Sequence, residues 1–201
     1  MPGAYVPRKK SAAKILSSEA VFHSRVFDVQ REKVAEPNGV TATRDFIVHP
    51  GSVVVLPAFA DGRILLIRQY RHSVKQYLWE LVAGRRDGEE SFIEGAHREL
   101  QEETGYTARS MRQLLDVFPS PGFLRENMVI FLAQGLKKGA ANPEPDEKIT
   151  QRVFSLREAL RWIRSGKICD AKTVAGICIT RNLLRSETER HIARADLVSN
   201  G

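Results

Sequence analysis

The feature that most restricts the fold of this chain is the segment 84–106, a glycine-rich, charged turn followed by a short acidic helix. Between 90 and 105, Ile93, Ala96 and Leu100 recur at helical spacing, which predicts an apolar stripe along one face of this helix. The helical stretch ends on a glycine, the residue that most often terminates a helix. The segment therefore predicts a loop–helix unit with one apolar face.

Three glutamates of this helix have spacings that place their carboxylates on one side. Glu99 precedes Glu102 by three residues and Glu103 by four, so the three groups lie within reach of one another. Arg98 offsets part of their repulsion, and a divalent cation would offset far more. Oxygen ligands favour Mg²⁺ or Mn²⁺ over Zn²⁺, and the preceding loop lets the Ala83 carbonyl face the same cation. The alternative is a solvated acidic helix face, which is common.

Strand-like runs fill the N-terminal third of the chain. The turn residues 37–39 predict a hairpin, and the Asp-Gly pair at 61–62 predicts another between the runs on either side of it. The β-branched run 52–57 predicts a buried strand. The expected strands are 21–25, 26–34, 40–49, 52–57 and 63–70, with 77–83 extended.

Strands and helices are mixed in the rest of the chain. A polar, proline-containing loop is expected at 137–148. This order, strands first and then a mixed sheet with about three helices, predicts an α+β or layered α/β/α arrangement. The further strands are expected at 111–118, 128–134 and 153–155, and the further helices at 156–164 and 170–184.

Length and composition exclude several classes of protein. The chain has 201 residues, which suits one domain with a small appendage. Its 42% hydrophobic and 27% charged residues are typical of a globular chain rather than a disordered one. No apolar run approaches the roughly 20 residues of a membrane span. The net charge of +7 favours an anionic partner such as a nucleotide. Because the basic residues are scattered, we expect neither nucleic acid nor a membrane as partner.

The N-terminus and the cysteines bear on localisation. The first 16 residues are basic and lack the apolar stretch of a secretory signal. Cys169 and Cys178 form no Cys-x-x-Cys motif, which favours free, buried thiols in a reducing compartment. We therefore expect a cytoplasmic protein.

The segment described first resembles the Nudix box, Gly-x5-Glu-x7-Arg-Glu-U-x-Glu-Glu-x-Gly-U, where U is a bulky apolar residue. Its last position holds Tyr106, which is bulky but aromatic. The residues that match at the required spacing are Gly84, Glu90, Arg98, Glu99, Leu100, Glu102, Glu103 and Gly105.

Outside the box, the chain resembles the ADP-ribose pyrophosphatases of the Nudix family. The stretches 68–71 and 79–84 look like the approach to the box in these enzymes, with Val82 where many members have proline. Pro121 resembles the proline that marks this subfamily, and 165–173 resembles its C-terminal part. The likeness covers about 21–184, most of the chain.

The resemblance implies an α+β fold, a Nudix α/β/α sandwich with an N-terminal antiparallel β-sheet extension. That extension usually exchanges between subunits, so we expect a homodimer. The implied organisation is a flexible tail at 1–18, an N-terminal β extension for dimerisation at 19–50, a Nudix hydrolase domain at 51–187 and a polar C-terminal tail at 188–201.

By motif match, the resemblance implies Glu99 and Glu103 as the main metal ligands, with Glu102 and the carbonyl of Ala83 beside them. The expected ion is Mg²⁺, with Mn²⁺ as the alternative. Glu102 and Glu103 are also expected to be catalytic. Arg98 is expected to form a supporting ion pair with Glu90.

The general base is expected in the loop after the box. Glu147 is our candidate and Glu144 the second choice. A merely solvated acidic loop is the alternative interpretation, and Glu102 is then the alternative base.

For the substrate, Arg71 is our first choice to contact the diphosphate or a ribose, because a guanidinium donates two parallel hydrogen bonds. Arg44, Glu80 and Glu126 match positions near the ligand in this subfamily. Charged residues are often merely solvated, which is the alternative for each of them.

The resemblance implies Mg²⁺-dependent hydrolysis of ADP-ribose to AMP and ribose 5-phosphate. A hydrolase of another nucleoside diphosphate sugar, such as GDP-mannose, would share nearly all these residues. A nucleotide-sensing module without turnover is the alternative from a different class, although such a module would be expected to lack a box glutamate.

Overall fold

The computed structural model describes residues 13–141 and 148–183. The helices are α1 (Phe92–Thr104), α2 (Leu156–Arg164) and α3, at residues 171–183. The strands are β1 (Lys14–His23), β2 (Asp28–Ala35), β3 (Thr41–Val48), β4 (Ser52–Pro57), β5 (Arg63–Arg71), β6 (Gln76–Glu80), β7 (Val82–Arg85), β8 (Tyr106–Val117), β9 (Leu124–Arg125), β10 (Met128–Lys138) and β11 (Thr150–Ser155).

The central sheet, in the order β7-β4-β10-β8, is covered by helices on both faces. Alternate residues of β4 point to opposite sides. Val53 and Val55 pack with Leu100 of α1, whereas Val54 packs with Ile177 of α3. β4 and β10 run parallel, and the other pairs of this sheet are antiparallel. This arrangement confirms the predicted α/β/α sandwich.

A second sheet, in the order β11-β5-β6, packs its aromatic residues beneath α2. The rings of Trp79 and Phe154 meet edge to face at 5.2 Å, and those of Phe154 and Trp162 at 5.1 Å. Both tryptophans thus belong to the core.

The N-terminal sheet, in the order β1-β2-β3-β9, is attached to the rest through a short parallel pair, β3 with β9. β1 begins at Lys14, inside the stretch 1–18 that the sequence predicted as a tail. It starts earlier because it pairs along its length with β2, and Ser17 and Ser18 interrupt the alternation that marks a strand. The predicted hairpin turn at 37–39 joins β2 to β3.

The hairpin predicted around 61–62 is wrong in its pairing. β4 and β5 belong to different sheets, and one isolated bridge connects Ala58, the residue after β4, with Ile64 of β5. β4 is apolar on both faces, so it takes a central position between β7 and β10 instead.

Two predictions about single side chains are also wrong. Ile93 is 45% exposed, because the neighbouring Phe92 packs against the core at the start of α1. Cys169 and Cys178 are free thiols as predicted, but both are exposed rather than buried. Among the described residues, no helix is long and apolar enough to cross a membrane.

Candidate active site

Helix α1 carries the box glutamates, and its ends are set by local hydrogen bonds. Ser91 and Glu94 form a capping box, in which the Ser91 N–H donates to the Glu94 carboxylate at 2.8 Å. At the other end Gly105 has a φ of 73° and donates its N–H to the Gln101 carbonyl. This left-handed conformation favours glycine, as predicted. The glutamates of α1 are therefore carried by a helix whose two ends are both capped.

Ala83 and Gly84 of strand β7 lie directly against these glutamates. A Cβ on Gly84 would stand 1.9 Å from Oε1 of Glu99, so only glycine allows this approach. The Ala83 N–H donates to Oε2 of Glu103 at 3.2 Å. Glu103 is 2% exposed. Two buried carboxylates thus converge on the middle of β7.

Arg98 donates hydrogen bonds to two members of the acidic cluster, which consists of Glu99, Glu102 and Glu103. Its guanidinium donates to Glu90 at 2.7 and 3.1 Å, which forms the expected ion pair. Nη1 donates to both Glu99 and Glu102, at 2.7 and 2.9 Å. The hydrogen bonds that Arg98 donates to Glu90 raise the pKa of Arg98 and lower the pKa of Glu90. Both groups therefore stay charged at neutral pH.

The donor set fits a hard divalent cation. Glu99 and Glu102 both reach one cationic nitrogen of Arg98, so their oxygens can share a positive charge. Carboxylates with a nearby backbone carbonyl are the ligands that Mg²⁺ and Mn²⁺ prefer. Arg98 lies between Glu99 and Glu102. Within residues 13–141 and 148–183, no three aspartate, glutamate, histidine or cysteine side chains are grouped closely enough to hold a metal ion as they are placed. The residues that would hold the ion are Glu99, Glu102, Glu103 and the Ala83 carbonyl.

A cavity of about 300 Å³ opens beside the acidic cluster. Glu99 and Glu102 line it together with Ala83 and the guanidinium-bearing residues Arg71 and Arg98. Cationic and anionic side chains in one cavity suit a diphosphate and the metal ion that accompanies it.

Arg71 and Glu80, both predicted to bind substrate, have different positions. Arg71 lines the cavity and is partly exposed, whereas Glu80 is fully buried. Glu80 accepts two hydrogen bonds from Arg71, at 2.9 and 2.8 Å, and a further one from Lys172. Burial by itself would raise the pKa of Glu80, but these two cations hold it below its ordinary value. Glu80 is placed to orient Arg71 rather than to contact a ligand.

Arg44 and Glu126 are not among the residues that line this cavity. Arg44 is paired with Glu36 at 2.8 Å and lines a separate cavity of about 630 Å³ that also includes Pro121. Glu126 lies 3.4 Å from the ring of His49, and both side chains are mostly buried. Their predicted contact with substrate stays a prediction. Glu144 and Glu147 lie outside the described residues.

The structure also adds residues that the sequence did not indicate. Arg25 and Val26, in the turn between β1 and β2, line the same cavity as the box. The Arg25 carbonyl accepts a hydrogen bond from Arg85 of β7 at 2.5 Å. No motif or spacing signals this contact, since 60 residues separate its two members.

Comparisons with known proteins agree with this geometry. A NUDIX domain matches residues 48–175. The methanol dehydrogenase activator of Bacillus methanolicus is 36% identical over 166 residues, covering 82% of this chain and 90% of that protein. The ADP-ribose pyrophosphatase of Bacillus subtilis strain 168 is 34% identical over 171 residues, covering 84% and 92%.

A solved structure agrees with the same assignment. The crystal structure of an ADP compounds hydrolase superposes with a TM-score of 0.78 at 25% identity, covering 90% of this chain and 98% of that one. The match of the domain over more than half of the chain, together with the capped box helix and its converging glutamates, identifies this protein as a member of the Nudix family.

Proposed function

We propose that this protein hydrolyses ADP-ribose to AMP and ribose 5-phosphate, with Mg²⁺ as its metal and Mn²⁺ as the alternative. The observation that carries the proposal is the convergence of Glu99, Glu102 and Glu103 near Ala83 and Gly84 of β7, beside a cavity lined by Arg71. Relatives that bear the name ADP-ribose pyrophosphatase support the choice of substrate.

The reaction is the attack of water on one phosphorus of the diphosphate, with cleavage of the bond to the bridging oxygen. When bound, the divalent cation neutralises charge on the diphosphate and activates water for this attack. Arg98 holds Glu99 and Glu102 together through Nη1. Arg71 supplies a positively charged guanidinium to the phosphate oxygens, and hydrogen bonds between charged groups are strong.

The proton of the attacking water needs an acceptor. Glu102 is more exposed than Glu99 and Glu103 and lines the cavity, so we assign it this role among the described residues. Glu147, the first candidate from the sequence, lies outside the described residues and is kept as the alternative. Glu103, buried against Ala83, is assigned to holding the metal.

The test is product analysis after incubation of the pure protein with ADP-ribose and Mg²⁺. We expect AMP and ribose 5-phosphate in equal amounts. Glu103→Gln, which keeps the shape of the side chain and removes its charge, should lose several orders of magnitude in rate. Glu19→Gln, on the exposed strand β1, is the matched control and should keep the wild-type rate.

Other outcomes point to the alternatives. Turnover of GDP-mannose without turnover of ADP-ribose would contradict the substrate and keep the reaction. Binding of these nucleotides in the presence of Mg²⁺, with no product from any of them, would favour the sensing module over the enzyme.

We also propose a homodimer that forms through the N-terminal sheet. β1 lies at the edge of that sheet, and all ten of its residues are exposed. Ile15, Leu16, Val21 and Phe22 of this strand are each at least 43% exposed. An exposed apolar edge strand is a site for association, and a second copy of the chain is the partner that the resemblance implies. A cytoplasmic location stays a prediction, supported by two unpaired thiols.

A further inference from the structure

A chain of charged side chains connects the start of α3 to Arg71 at the cavity. Arg71 donates Nε and Nη2 to the two oxygens of Glu80. Lys172 donates to Glu80 from the other side, and to Asp170 at 2.9 Å. Because Glu80 is fully buried, its charge is compensated by Arg71 and Lys172 instead of by water.

The contact with Glu80 determines the orientation of Arg71. Two parallel hydrogen bonds fix the plane of a guanidinium as well as its position. The bonds to Glu80 use Nε and Nη2 of Arg71. Nη1 is therefore the nitrogen left to bind a ligand, since no hydrogen bond from it to another described residue is present. Any rotation of the Glu80 carboxylate would therefore turn the group that Arg71 presents to the cavity.

Asp170 is itself held by the first turn of α3. Its Oδ2 accepts hydrogen bonds from the N–H and the hydroxyl of Thr173, at 3.0 and 2.6 Å. The Thr173 hydroxyl oxygen accepts from the N–H of Leu81 at 2.8 Å. Leu81 follows Glu80 directly, so the start of α3 is attached to the same part of the chain that carries the Arg71 partner.

We infer that Lys172 and Asp170 are positioning residues, which hold Arg71 through Glu80 in the orientation that receives the substrate phosphates. The inference rests on the proposed function, because it assigns Arg71 to the diphosphate. Neither residue lines the cavity of the box; both line a separate, mainly apolar cavity of about 330 Å³. They act on the substrate only through Glu80 and Arg71.

The first test uses Lys172→Met, which removes the charge and keeps the length of the side chain. We expect the KM for ADP-ribose to rise about tenfold while kcat stays within about threefold, as for a lost binding contact. Lys172→Arg should restore most of the affinity. Lys167→Met is the matched control, since Lys167 lies over the ring of Trp162 and contacts none of this network. An unchanged KM, or a loss confined to kcat, would overturn the inference.

A second test requires no substrate. The Nε–H resonance of Arg71, assigned in ¹⁵N-labelled protein with Arg71→Lys, reports its bond to Glu80. We expect this resonance to shift or broaden in Lys172→Met and to stay unchanged in Lys167→Met. An unchanged resonance in both variants would refute the positioning role. If wild-type protein does not turn over ADP-ribose but the resonance depends on Lys172, the proposed function fails and the positioning role stands.

A third variant covers the case in which Lys172→Met does not fold. Asp170→Asn removes the charge that orients Lys172, and asparagine still caps a helix. It should shift the Arg71 resonance in the same direction and raise KM. A folded Asp170→Asn protein with the wild-type resonance and KM would contradict the inference.

Discussion

At the scale of the residue, Gly84 is the described glycine at which a Cβ would meet the closest contact. Gly84→Ala would place a methyl group 1.9 Å from Oε1 of Glu99, so the carboxylate must move away from Arg98 and from β7. We expect kcat/KM to fall by about 10²-fold or more, a loss comparable to that of a misplaced catalytic contact. Steady-state kinetics at saturating Mg²⁺ measures it.

Gly122→Ala is the matched control for this substitution. A Cβ at Gly122 would meet no atom within 4 Å, so its activity should stay near that of the wild type. Wild-type kinetics in Gly84→Ala would mean that Glu99 is not held against β7 during the reaction.

His49 makes the stability of the folded protein depend on pH. Burial lowers the pKa of His49, the charge of Arg85 lowers it further, and Glu126 opposes both. In the unfolded chain the imidazole has its ordinary pKa of about 6.5. Between the lowered pKa and that value the unfolded state binds more protons, so the free energy of unfolding should fall as the pH decreases below about 6.5.

Urea unfolding at several pH values between 5 and 8 measures this dependence. In His49→Gln the slope over this range should decrease, since the group that takes up the proton is gone. His72→Gln changes an exposed histidine and should keep the wild-type slope. Equal slopes in all three proteins would rule out His49 as the source.

At the scale of the element, the box helix depends on the cap at its start. The Ser91 hydroxyl oxygen accepts from the Glu94 N–H, and the Glu94 carboxylate accepts from the N–H and the hydroxyl of Ser91. Ser91→Ala should lower the free energy of unfolding by about 1 kcal/mol, while Ser91→Gly should lower it by only a few tenths. Chemical denaturation of the two variants and the wild type measures the difference. Equal stability of Ser91→Ala and the wild type would show that tertiary packing alone holds this end of α1.

The strands show where local patterns fail. The buried run 52–57 and the helix of the box were predictable, because each has a strong pattern of its own. The pairing of β4 with β10 was not, since the two strands lie more than 70 residues apart in the chain and their order depends on which faces are covered. The early start of β1 depends in the same way on β2.

At the scale of the whole molecule, the exposed apolar residues of β1 bear on the assembly. Phe22 is 52% exposed and near Phe27. If two copies associate through this sheet, Phe22→Asp places a charge in the interface and should convert the dimer to a monomer. Light scattering coupled to size exclusion measures the mass of each variant. Ser17→Asp adds the same charge at a polar position of the same strand and is the comparison.

A monomeric wild-type protein would contradict the proposed dimer outright. A Phe22→Asp protein that stays dimeric would place the interface elsewhere on the molecule. In either case one chain contains all the residues that would hold the metal ion, namely Glu99, Glu102 and Glu103 of α1 and Ala83 of β7.

The sequence by itself determined the box helix and the donors it carries. Glutamates three and four residues apart lie on one side of any α-helix, and the capping serine and terminal glycine act locally. Only the tertiary structure decided that Glu80 is buried, that Lys172 completes its partners, and that Arg25 reaches the cavity. Lys172 and Glu80 are 92 residues apart, and contacts across such distances follow from sheet order and helix packing, which leave no periodic trace in the sequence.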